Sequence, residues 1–408
     1  MTSFDQAATP ASAHLSRLRG RLLHGLFGHL RFGRLRVELP DGALLEWKGD
    51  EPGPDAHLVL RRWRTLWRAM ASGDIGMSDA WIAGEWTSPD LTAVVRLAAR
   101  NSQTSQRAID GSPAFALYQR LRHLLRGNTR RGSRRNIEKH YDLGNDFFAA
   151  WLDADMIYSS ALWTDPGLAL EQAQLAKCER IASLLRLSGN ENILEIGCGW
   201  GALATHLAGA GAHVTGVTLS PSQLAAATAR AARLGLAARC DLRLQDYREI
   251  TGQFDRIVSI EMIEAVGESY LPLYFEALRR TLKPGGSAVL QAITIAEDRF
   301  ETYRRDTDFI QKHIFPGGFL PSKSLMADHA ARAGLKLVHA EVFGQSYART
   351  LVEWRRRFYA AWPEIAAQGF DENFRRLWDY YLCYCEAGFL EEAIDVGLYV
   401  FERASYEN

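Results

Sequence analysis

The sequence predicts an α/β protein in which a small α+β domain precedes a larger domain built on a parallel sheet with helices on both faces. Three observations predict this. The chain has 408 residues, and single hydrophobic cores stop growing near ~250 to 300 residues. The pattern changes near residue 136 from mixed short segments to alternating strands and helices. A glycine-rich turn joins the first of these strands to its helix.

The N-terminal domain is predicted to span residues 1–118. Alternating apolar and polar residues predict strands, and helical periodicity predicts helices. The strands are expected at 34–38, 43–47 and 56–59, and the helices at 62–72 and 90–101. Residues 119–135 are rich in Arg and Gly and predict a linker. No group of catalytic side chains stands out in this domain.

The second domain is predicted to span residues 136–408. Strand and helix alternate along it, which predicts parallel strands with crossover helices. The predicted strands are 192–196, 213–219, 240–245, 255–260 and 286–295, and the first two are followed by helices at 202–208 and 221–234. Pro221 suits the first turn of its helix.

Composition indicates a folded protein, with 47% hydrophobic and 24% charged residues. No apolar run approaches the roughly 18 residues of a membrane-spanning helix, and residues 1–10 lack the apolar core of a signal peptide. We therefore expect a cytoplasmic protein. Its five cysteines are odd in number and lack C-x-x-C spacing, so we expect reduced thiols and no metal site.

Basic residues are concentrated in two places although the formal net charge is zero. One set comprises Arg120, Arg122, Arg126, Arg130, Arg131, Arg134, Arg135 and Lys139, and the other comprises Arg61, Arg62, Arg64 and Arg68. Two interpretations stay open. These residues form a solvated linker and a charged helix face, or they contact anionic lipid headgroups, to which each surface Lys or Arg side chain contributes ~1 kcal/mol of binding free energy. Nucleic acid is disfavoured, because no stacking or helix-turn-helix signature accompanies the arginines.

The decisive motif is Glu-Ile-Gly-Cys-Gly-Trp-Gly at 195–201, where the first strand of the second domain turns into a helix. Glycines let the backbone approach a ligand, and ligands of open α/β sheets bind at the carboxyl ends of strands. A dinucleotide site is the main competitor. However, the spacing is G-x-G-x-G, and the second strand ends in Thr218-Leu219-Ser220 where such sites usually carry an acid. The other alternative is that these glycines serve only a tight turn between the strand and the helix.

Together with residues 217–220 and 245–247, this motif resembles the S-adenosylmethionine site of class I methyltransferases. The resemblance implies that Glu195 holds the methionine amino end and that Asp246 lies near the adenine. It implies the cofactor-binding residues Tyr158, Ser159, Glu195, Gly197, Gly199, Trp200, Gly201, Thr218, Leu219, Ser220, Gln223, Asp246 and Tyr247.

Further blocks narrow the class: residues 140–148 and 158–163 before the sheet, and 309–322 after the fifth strand. With 259–267, 347–351 and 376–382 they resemble the cyclopropane fatty acid synthase family, including its mycolic acid methyltransferase relatives, over residues 136–390. Residues 1–118 resemble, less specifically, the lipid-engaging N-terminal domain of full-length members.

This resemblance implies that the methyl carbon of S-adenosylmethionine is transferred to the cis double bond of an unsaturated phospholipid acyl chain, giving a cyclopropane. Attack leaves a carbocation, from which water must be excluded and which aromatic faces stabilise. The candidate lining is Phe147, Phe148, Tyr303, Phe309, Phe315 and Phe319, although each is also compatible with ordinary core packing.

The resemblance further implies a bound bicarbonate as the base, held by Ser160, Glu264, Gln291, Ile293 and Tyr347. Ser160 and Gln291 depart from the Cys and His of the bacterial pattern, yet both still offer donors. The departures leave a methylene- or methyl-branched product as an alternative to the cyclopropane. Glu261 and Glu268 lie near Glu264 and receive no role.

Two other functions stay open, a methyltransferase for a soluble small molecule and a lipid-binding protein with an idle cofactor fold. The basic segment, the N-terminal domain and the aromatic insertion favour the lipid enzyme. The expected partners are unsaturated membrane phospholipids, with peripheral contact at the inner face of the membrane and no nucleic acid. A homodimer is plausible, because two catalytic domains at one membrane raise effective concentration.

Overall fold

The computed structural model describes residues 23–24, 28–106 and 143–405, with the side chains of 103–106 excepted. The predicted linker at 119–135, the first basic set and residues 140–142 of the aromatic block lie outside the described residues. The chain divides into two compact units.

The first unit contains the described residues of Met1–Phe115 together with Glu372–Ala387. Its elements are β1 (Phe32–Glu38), β2 (Leu44–Lys48), β3 (Glu51–Leu60), α1 (Arg64–Ile82), β4 (Trp86–Thr87) and α2 (Leu91–Gln106). The sheet order is β2-β1-β3-β4, in which β1 and β3 are parallel. Buried and half-buried residues alternate along β1, as in a strand with one face on a core. The predicted strands and helices are confirmed, and α1 extends further than predicted, across a kink at Gly73.

The C-terminal helix α12 (Glu372–Leu390) lies within the predicted second domain, but most of it belongs to the first unit. Trp81 Nε1 donates a hydrogen bond to the carbonyl of Arg376 at 3.0 Å. Thr92 Oγ1 donates to a carboxylate oxygen of Glu386 at 2.8 Å. These bonds join distant parts of the sequence, so periodicity along the chain does not reveal them.

The second unit contains the described residues of Ala116–Asp371 together with Gly388–Asn408. Its strands are β5 (Asn192–Ile196), β6 (His213–Thr218), β7 (Cys240–Leu244), β8 (Phe254–Ile260), β9 (Leu282–Ile295), β10 (Leu335–Val342) and β11 (Ile394–Arg403). Its helices are α3 (Asn145–Ala149), α4 (Leu170–Leu185), α5 (Ala202–Gly209), α6 (Pro221–Arg233), α7 (Leu271–Thr281), α8 (Glu297–Tyr303), α9 (Lys323–Arg332), α10 (Gly344–Ala360) and α11 (Trp362–Ala367). A π-helical turn spans Ile310–Ile314.

The large sheet has the order β10-β11-β9-β8-β5-β6-β7. Strands β5 to β9 are mutually parallel, as predicted, and β11 runs antiparallel between β9 and β10. Strand order reverses at β5, because the chain continues to β6 on one side and returns to β8 on the other. Ligands of open α/β sheets bind outside the carboxyl ends of the strands at such a switch point.

Alternate residues of the central strands bury their side chains on opposite faces of this sheet. Leu194, Ile257 and Leu290 belong to the core that contains the buried residues of α7 and α9. Their neighbours Ile193, Val258 and Val289 belong to the core that contains those of α4 and α5. All six side chains are fully buried. Both faces are therefore covered, which holds the strand ends rigidly in place.

Candidate active site

The ends of β5 and β8 meet at the switch point. The glycine motif follows β5, and Glu261 follows β8 directly. Gly197 has a φ of +85°, and a Cβ added there would lie 3.2 Å from Cγ of Met262. The motif and the segment after β8 are therefore in contact, so a ligand on the loop lies beside the acids of that segment.

The glycine loop is fixed to β6 and α6. The amides of Gly197 and Cys198 both donate to the carbonyl of Val217, at 2.9 and 3.0 Å. Gly201 has a φ of +81°, and a Cβ there would lie 2.9 Å from that of Ala227. Trp200 Nε1 donates to Oδ1 of Asn145 at 2.8 Å. Glycine is thus required for the loop to turn and for α6 to pack closely against it.

Glu195 is the buried acid at the end of β5, with 3% of its surface exposed. Its Oε2 has no hydrogen-bond partner within the part of the chain that the structure describes. Burial raises the pKa of this carboxyl to about 8, against the opposing effect of Lys177. A cationic ligand at this oxygen would favour the ionised carboxylate.

Lys177, on α4, is a buried cation that the sequence analysis did not identify. Its Nζ donates to Oγ of Ser159 at 2.6 Å. Burial lowers its pKa, while the nearby charges of Glu261, Asp153 and Glu195 act in the opposite direction. Lys177 therefore bonds the predicted cofactor residue Ser159 and also interacts with the charges of Glu195, at the end of β5, and Glu261, after β8.

The residues after β6 form one hydrogen-bonded group, as the predicted cofactor site required. Thr218 Oγ1 donates to Oε1 of Gln223 at 2.9 Å and accepts from the amide of Ser220 at 3.1 Å. The Ser220 hydroxyl caps α6 by accepting from the Gln223 amide at 3.3 Å. Leu219 lies between them in the chain. This group therefore lies at a strand end adjoining the glycine loop.

Asp246 and Tyr247 follow β7, and the amide of Gln245 donates to the carbonyl of Thr218 at 3.1 Å. The carboxylate of Asp246 accepts from Arg248 through Nε at 2.8 Å and Nη2 at 2.6 Å. Tyr247 packs against Tyr274, with ring centroids 5.6 Å apart. Arg248 was not predicted, and it fixes the orientation of Asp246 beside the end of β6.

Three of the predicted base-site residues converge on the carboxylate of Glu261, which the sequence analysis left without a role. Its Oε1 accepts from the amide of Ser160 at 2.9 Å and from Nε2 of Gln291 at 2.7 Å. Its Oε2 accepts from the hydroxyl of Tyr347 at 2.6 Å. We call this arrangement of Ser160, Gln291 and Tyr347 around Glu261 the carboxylate cradle.

Glu264 and Ile293, the other two predicted residues, bond to each other beside the cradle. Oε1 of Glu264 accepts from the amide of Ile293 at 2.5 Å. Its Oε2 is buried and has no hydrogen-bond partner among the described residues. Burial, and secondly the charge of Glu261, raise the pKa of Glu264 to about 8. Glu264 is therefore mostly protonated near neutral pH.

Burial also raises the pKa of Glu261, but more groups favour its ionised form. The bonds from Tyr347, Ser160 and Gln291 and the charge of Lys177 all lower it. Hydrogen bonds to a carboxylate stabilise the charged state. The three donors and Lys177 therefore favour ionisation of Glu261, whereas the neighbouring charge of Glu261 disfavours that of Glu264.

Helix α10 holds the cradle together by binding the segment that contains Ser160. The amide of Ala161 donates to Oγ1 of Thr350 at 3.2 Å, and Nε1 of Trp163 donates to the same oxygen at 3.0 Å. The amide of Trp163 donates to Oγ of Ser346 at 3.1 Å. Ser346 and Thr350 flank Tyr347 on this helix and were not predicted. Nothing local in the sequence marks them, because their partners lie far away along the chain.

An unbroken series of aromatic contacts runs from the glycine loop to the cradle. Neighbouring ring centroids are 5.2 to 6.0 Å apart. The series is Trp200, Phe148, Tyr158, Trp354 and Tyr347. Aromatic faces can stabilise a nearby positive charge.

The predicted aromatic lining is divided between this series and other places. Phe147 contacts Phe148 at 5.1 Å, whereas Tyr303 and Phe319 pack together at 5.8 Å in the sheet core. The amide of Phe319 donates to the carbonyl of Glu264 at 2.9 Å, so its backbone borders the acid pair. Phe309 is buried against His313. Only part of the predicted set therefore accompanies the cofactor loop.

An open sheet with one antiparallel strand, a glycine loop at its switch point and a buried acid before that loop define a class I S-adenosylmethionine-dependent methyltransferase. The residues fit this cofactor, because the unbonded Oε2 of Glu195 is a buried acceptor available to the amino group of its methionine part. Among residues 23–24, 28–106 and 143–405 there is no cluster of potential metal ligands. No helix within those ranges is both long and apolar enough to cross a membrane.

Comparison with known proteins agrees with this class. The mycolic acid cyclopropane synthetase family matches residues 128–398. The chain is 39% identical over 401 residues to the tuberculostearic acid methyltransferase UfaA1 of Mycobacterium tuberculosis, covering 95% of this chain and 91% of that protein. It is 35% identical over 345 residues to the cyclopropane-fatty-acyl-phospholipid synthase of Escherichia coli, covering 82% and 85%.

A solved structure matches about two thirds of the chain. It is that of the mycolic acid cyclopropane synthase CmaA1 in complex with SAH and CTAB, with a TM-score of 0.63 and 29% identity. The match covers 66% of this chain and 98% of that one. The protein therefore belongs to the mycolic acid cyclopropane synthetase family, as the sequence motifs predicted.

The bicarbonate expected from the resemblance does not fit the predicted residues as they are arranged. Ser160, Gln291 and Tyr347 donate to Glu261, and the Ile293 amide donates to Glu264. A separate anion on the same groups would have to displace a carboxylate that the chain itself supplies. No step is therefore assigned to bicarbonate.

Proposed function

We propose that this protein transfers the methyl carbon of S-adenosylmethionine to the cis double bond of an unsaturated acyl chain in a membrane phospholipid. The observation that carries the proposal is the aromatic series that joins the cofactor loop to the carboxylate cradle, from Trp200 to Tyr347. An alkene gives a cation when it is methylated. Its site needs aromatic faces and a nearby base, whereas a small polar substrate needs neither.

The named relatives support a lipid substrate. UfaA1 is a tuberculostearic acid methyltransferase, and the Escherichia coli relative acts as a fatty-acyl-phospholipid synthase. Both similarities extend over more than four fifths of this chain. A methyltransferase for a soluble metabolite and an idle lipid-binding fold are less consistent with these relatives and with the half-buried pair of acids, Glu261 and Glu264.

S-Adenosylmethionine supplies an electrophilic methyl group when bound. The residues of this chain then have distinct tasks. Glu195 and the glycine loop hold the cofactor at the switch point. Phe148 and Tyr158 exclude water and present aromatic faces between the loop and the cradle. Glu261 places a negative charge on the far side of that series. Holding both reactants in fixed geometry removes much of the entropic barrier to attack by a weak nucleophile.

The first candidate product is the cyclopropane fatty acyl chain, which forms when the cation loses a proton from the transferred methyl group and closes the ring. A methylene- or methyl-branched chain is the second candidate. A specific observation favours it, since similarity to the tuberculostearic acid methyltransferase covers 95% of this chain. The cyclopropane and the methylene-branched chain share the methyl transfer and differ in the fate of the cation. The methyl-branched chain also needs a separate reductase that reduces the methylene group.

Membrane contact is proposed for the first unit, with the protein at the cytoplasmic face of the membrane. Arg61 and Arg62 are exposed at the start of α1, and the side chain of Trp67 nearby is 62% exposed. Arg64 and Arg68 belong to the same basic set, but both pair with the buried carboxylate of Glu85, at 2.5 and 3.2 Å. The cationic attraction to anionic headgroups therefore rests mainly on the first pair.

The test is a direct assay of the lipid product. Purified protein is incubated with S-adenosylmethionine and vesicles of a cis-monounsaturated phospholipid, and the released acyl chains are analysed by mass spectrometry and proton NMR. A one-carbon gain with upfield ring protons supports cyclopropanation, and vinylic methylene protons support branching. Vesicles of the matching saturated phospholipid are the control. No gain on the unsaturated lipid, with cofactor binding intact, contradicts the proposal.

A further inference from the structure

We propose that the carboxylate of Glu261 is the base that deprotonates the methylated acyl chain, in the place where the resemblance implied a bicarbonate ion. This inference rests on the proposed function, because it concerns the fate of the cation formed by methyl transfer. It gives a role to a residue that the sequence analysis left without one.

The first argument is the identity of the donors. Three of the five residues predicted to hold bicarbonate offer hydrogen-bond donors here, through the amide N–H of Ser160, the side chain of Gln291 and the hydroxyl of Tyr347. All three donate to Glu261, at 2.6 to 2.9 Å. A carboxylate and a bicarbonate ion both present a planar O–C–O group to such donors. The site is thus built for an oxyanion, and the chain provides it.

The second argument is the remaining acceptor capacity. An ionised carboxylate offers about four lone-pair positions. Two donors occupy Oε1 and one occupies Oε2, so Oε2 keeps a position at which it can take a proton. Glu264 is the weaker candidate, because its side chain accepts fewer hydrogen bonds from other described residues, and because the charge of Glu261 disfavours its ionisation.

The third argument is the backbone that places this side chain. Glu261 has a φ of +48°, a left-handed conformation that is strained for a residue with a Cβ. Its amide donates to the carbonyl of Gln291 at 2.8 Å, which fixes the turn directly after β8. Glycine would adopt this conformation without strain. A strained residue held in place at a strand end is typical of a functional position.

The proton transfer balances without any further reactant. Methyl transfer leaves a cationic carbon next to the carbon that carries the new methyl group. Oε2 of Glu261 takes one proton from that methyl group, and the C–H electron pair forms the bond that closes the three-membered ring. For the branched product, a 1,2-hydride shift first moves the cation to the methyl-bearing carbon. The same deprotonation then gives a C=CH2 group. The proton held by Glu261 passes to solvent after product release.

The experiment compares bicarbonate dependence in the wild type and two variants at position 261. The assay described above is run in buffer stripped of carbon dioxide, with and without added bicarbonate. The wild type is expected to turn over equally in both. Glu261→Gly opens the cradle without backbone strain, and Glu261→Gln fills it with a neutral amide. Both are expected to lose about 100-fold or more in kcat, the usual contribution of a positioned base.

Rescue by added anions distinguishes the two variants. Bicarbonate, formate or acetate should restore part of the activity of Glu261→Gly, because the three donors are then open to a small oxyanion. Glu261→Gln should not respond, since its side chain still occupies the space. Binding of S-adenosylmethionine by both variants, measured by calorimetry, shows that the site remains folded.

Wild-type turnover that requires bicarbonate would overturn this inference alone and leave the proposed function standing. Full activity of Glu261→Gln would overturn it as well. The absence of any one-carbon gain by the wild type in either buffer would instead overturn the proposed function, and this inference with it.

Discussion

The hydroxyl of Tyr347 lies 2.6 Å from Oε2 of Glu261, and 86 residues separate the two in sequence. The Tyr347 ring stacks on Phe389 with centroids 4.6 Å apart, which fixes the position of the hydroxyl. Helix α10 thereby orients an acid that follows β8. The segment after β8 supplies the carboxylate, and the helix outside the sheet supplies one of the three hydrogen bonds that it accepts in the cradle.

Replacing Tyr347 by Phe removes this donor and keeps the ring stacked on Phe389. A hydrogen bond to a charged group contributes about 1.5 to 3 kcal/mol. We therefore expect kcat to fall about 10- to 100-fold, since each 1.4 kcal/mol corresponds to a factor of ten. The affinity for S-adenosylmethionine and the melting temperature should change little. Steady-state kinetics on unsaturated vesicles and calorimetry make the comparison.

Tyr359→Phe is the matched control, because Tyr359 lies on the same helix and its side chain is exposed. It should retain wild-type kinetics. Equal loss in both variants would mean that the helix tolerates no change of this kind, and the role given to the Tyr347 hydroxyl would then be wrong.

The fold was largely predictable from the sequence because its signals are local. Strands β5, β6, β8 and β9 are largely buried runs rich in β-formers, and each of the strands β5 to β9 lies within a few residues of its predicted place. Strands β10 and β11 were not predicted. β11 pairs with β9 along its length and with β10 on its other side, and this pairing depends on distant segments. The assignment of α12 to the first unit was missed for the same reason.

The site was predicted as a set of residues but not as an arrangement. Ser160, Gln291 and Tyr347 were named correctly as neighbours, yet their common partner Glu261 was passed over. The positive φ that turns Glu261 toward them leaves no mark in the sequence. Lys177 was missed as well, because a lysine on an otherwise ordinary helix gives no sign of complete burial.

Glu264→Gln tests the protonation state of the second acid. Burial and the charge of Glu261 raise the pKa of Glu264 from 4.5 to about 8 in the folded protein. The folded state therefore holds a proton that the unfolded state loses, and this residue makes stability fall as pH rises between these two values. Glutamine carries no such proton.

We expect the melting temperature of Glu264→Gln, relative to the wild type, to increase steadily from about pH 5 to pH 8, the interval that this pKa shift affects. Scanning calorimetry across that range measures the difference, in which contributions from Glu261 and Lys177 common to both proteins largely cancel. A constant difference for Glu264→Gln would show that this carboxyl is ionised throughout.

Glu195→Gln tests the acid in front of the glycine loop. Its unbonded Oε2 is the expected acceptor for the amino group of the cofactor. Loss of a charge-assisted hydrogen bond of about 1.5 to 3 kcal/mol should weaken S-adenosylmethionine binding about 10- to 100-fold. Isothermal titration calorimetry gives the affinity directly.

The same titration tests the charge state of Glu195. The pKa of this carboxyl is raised to about 8 without ligand, and a bound ammonium group lowers it. Cofactor binding near neutral pH should therefore release protons from the wild type, detected as heat that varies with the buffer's ionisation enthalpy. The release from this group should vanish in Glu195→Gln. Unchanged affinity and unchanged proton release would place the amino group elsewhere.

Lys177→Met tests whether the buried cation sets the charge of the base. The positive charge of Lys177 lowers the pKa of Glu261 and of Glu195. Methionine fills a similar volume without charge, so both pKa values should rise. Because Glu261 must be ionised to accept a proton, the acidic limb of the plot of kcat against pH should move to higher pH.

Gln174→Met is the control, since Gln174 also bonds Ser159, at 3.0 Å, but carries no charge. Gln174→Met should leave the midpoint of the acidic limb unchanged. A shift in both variants would mean that the effect comes from the lost contact with Ser159. A shift in neither variant would mean that Lys177 is uncharged in the folded protein.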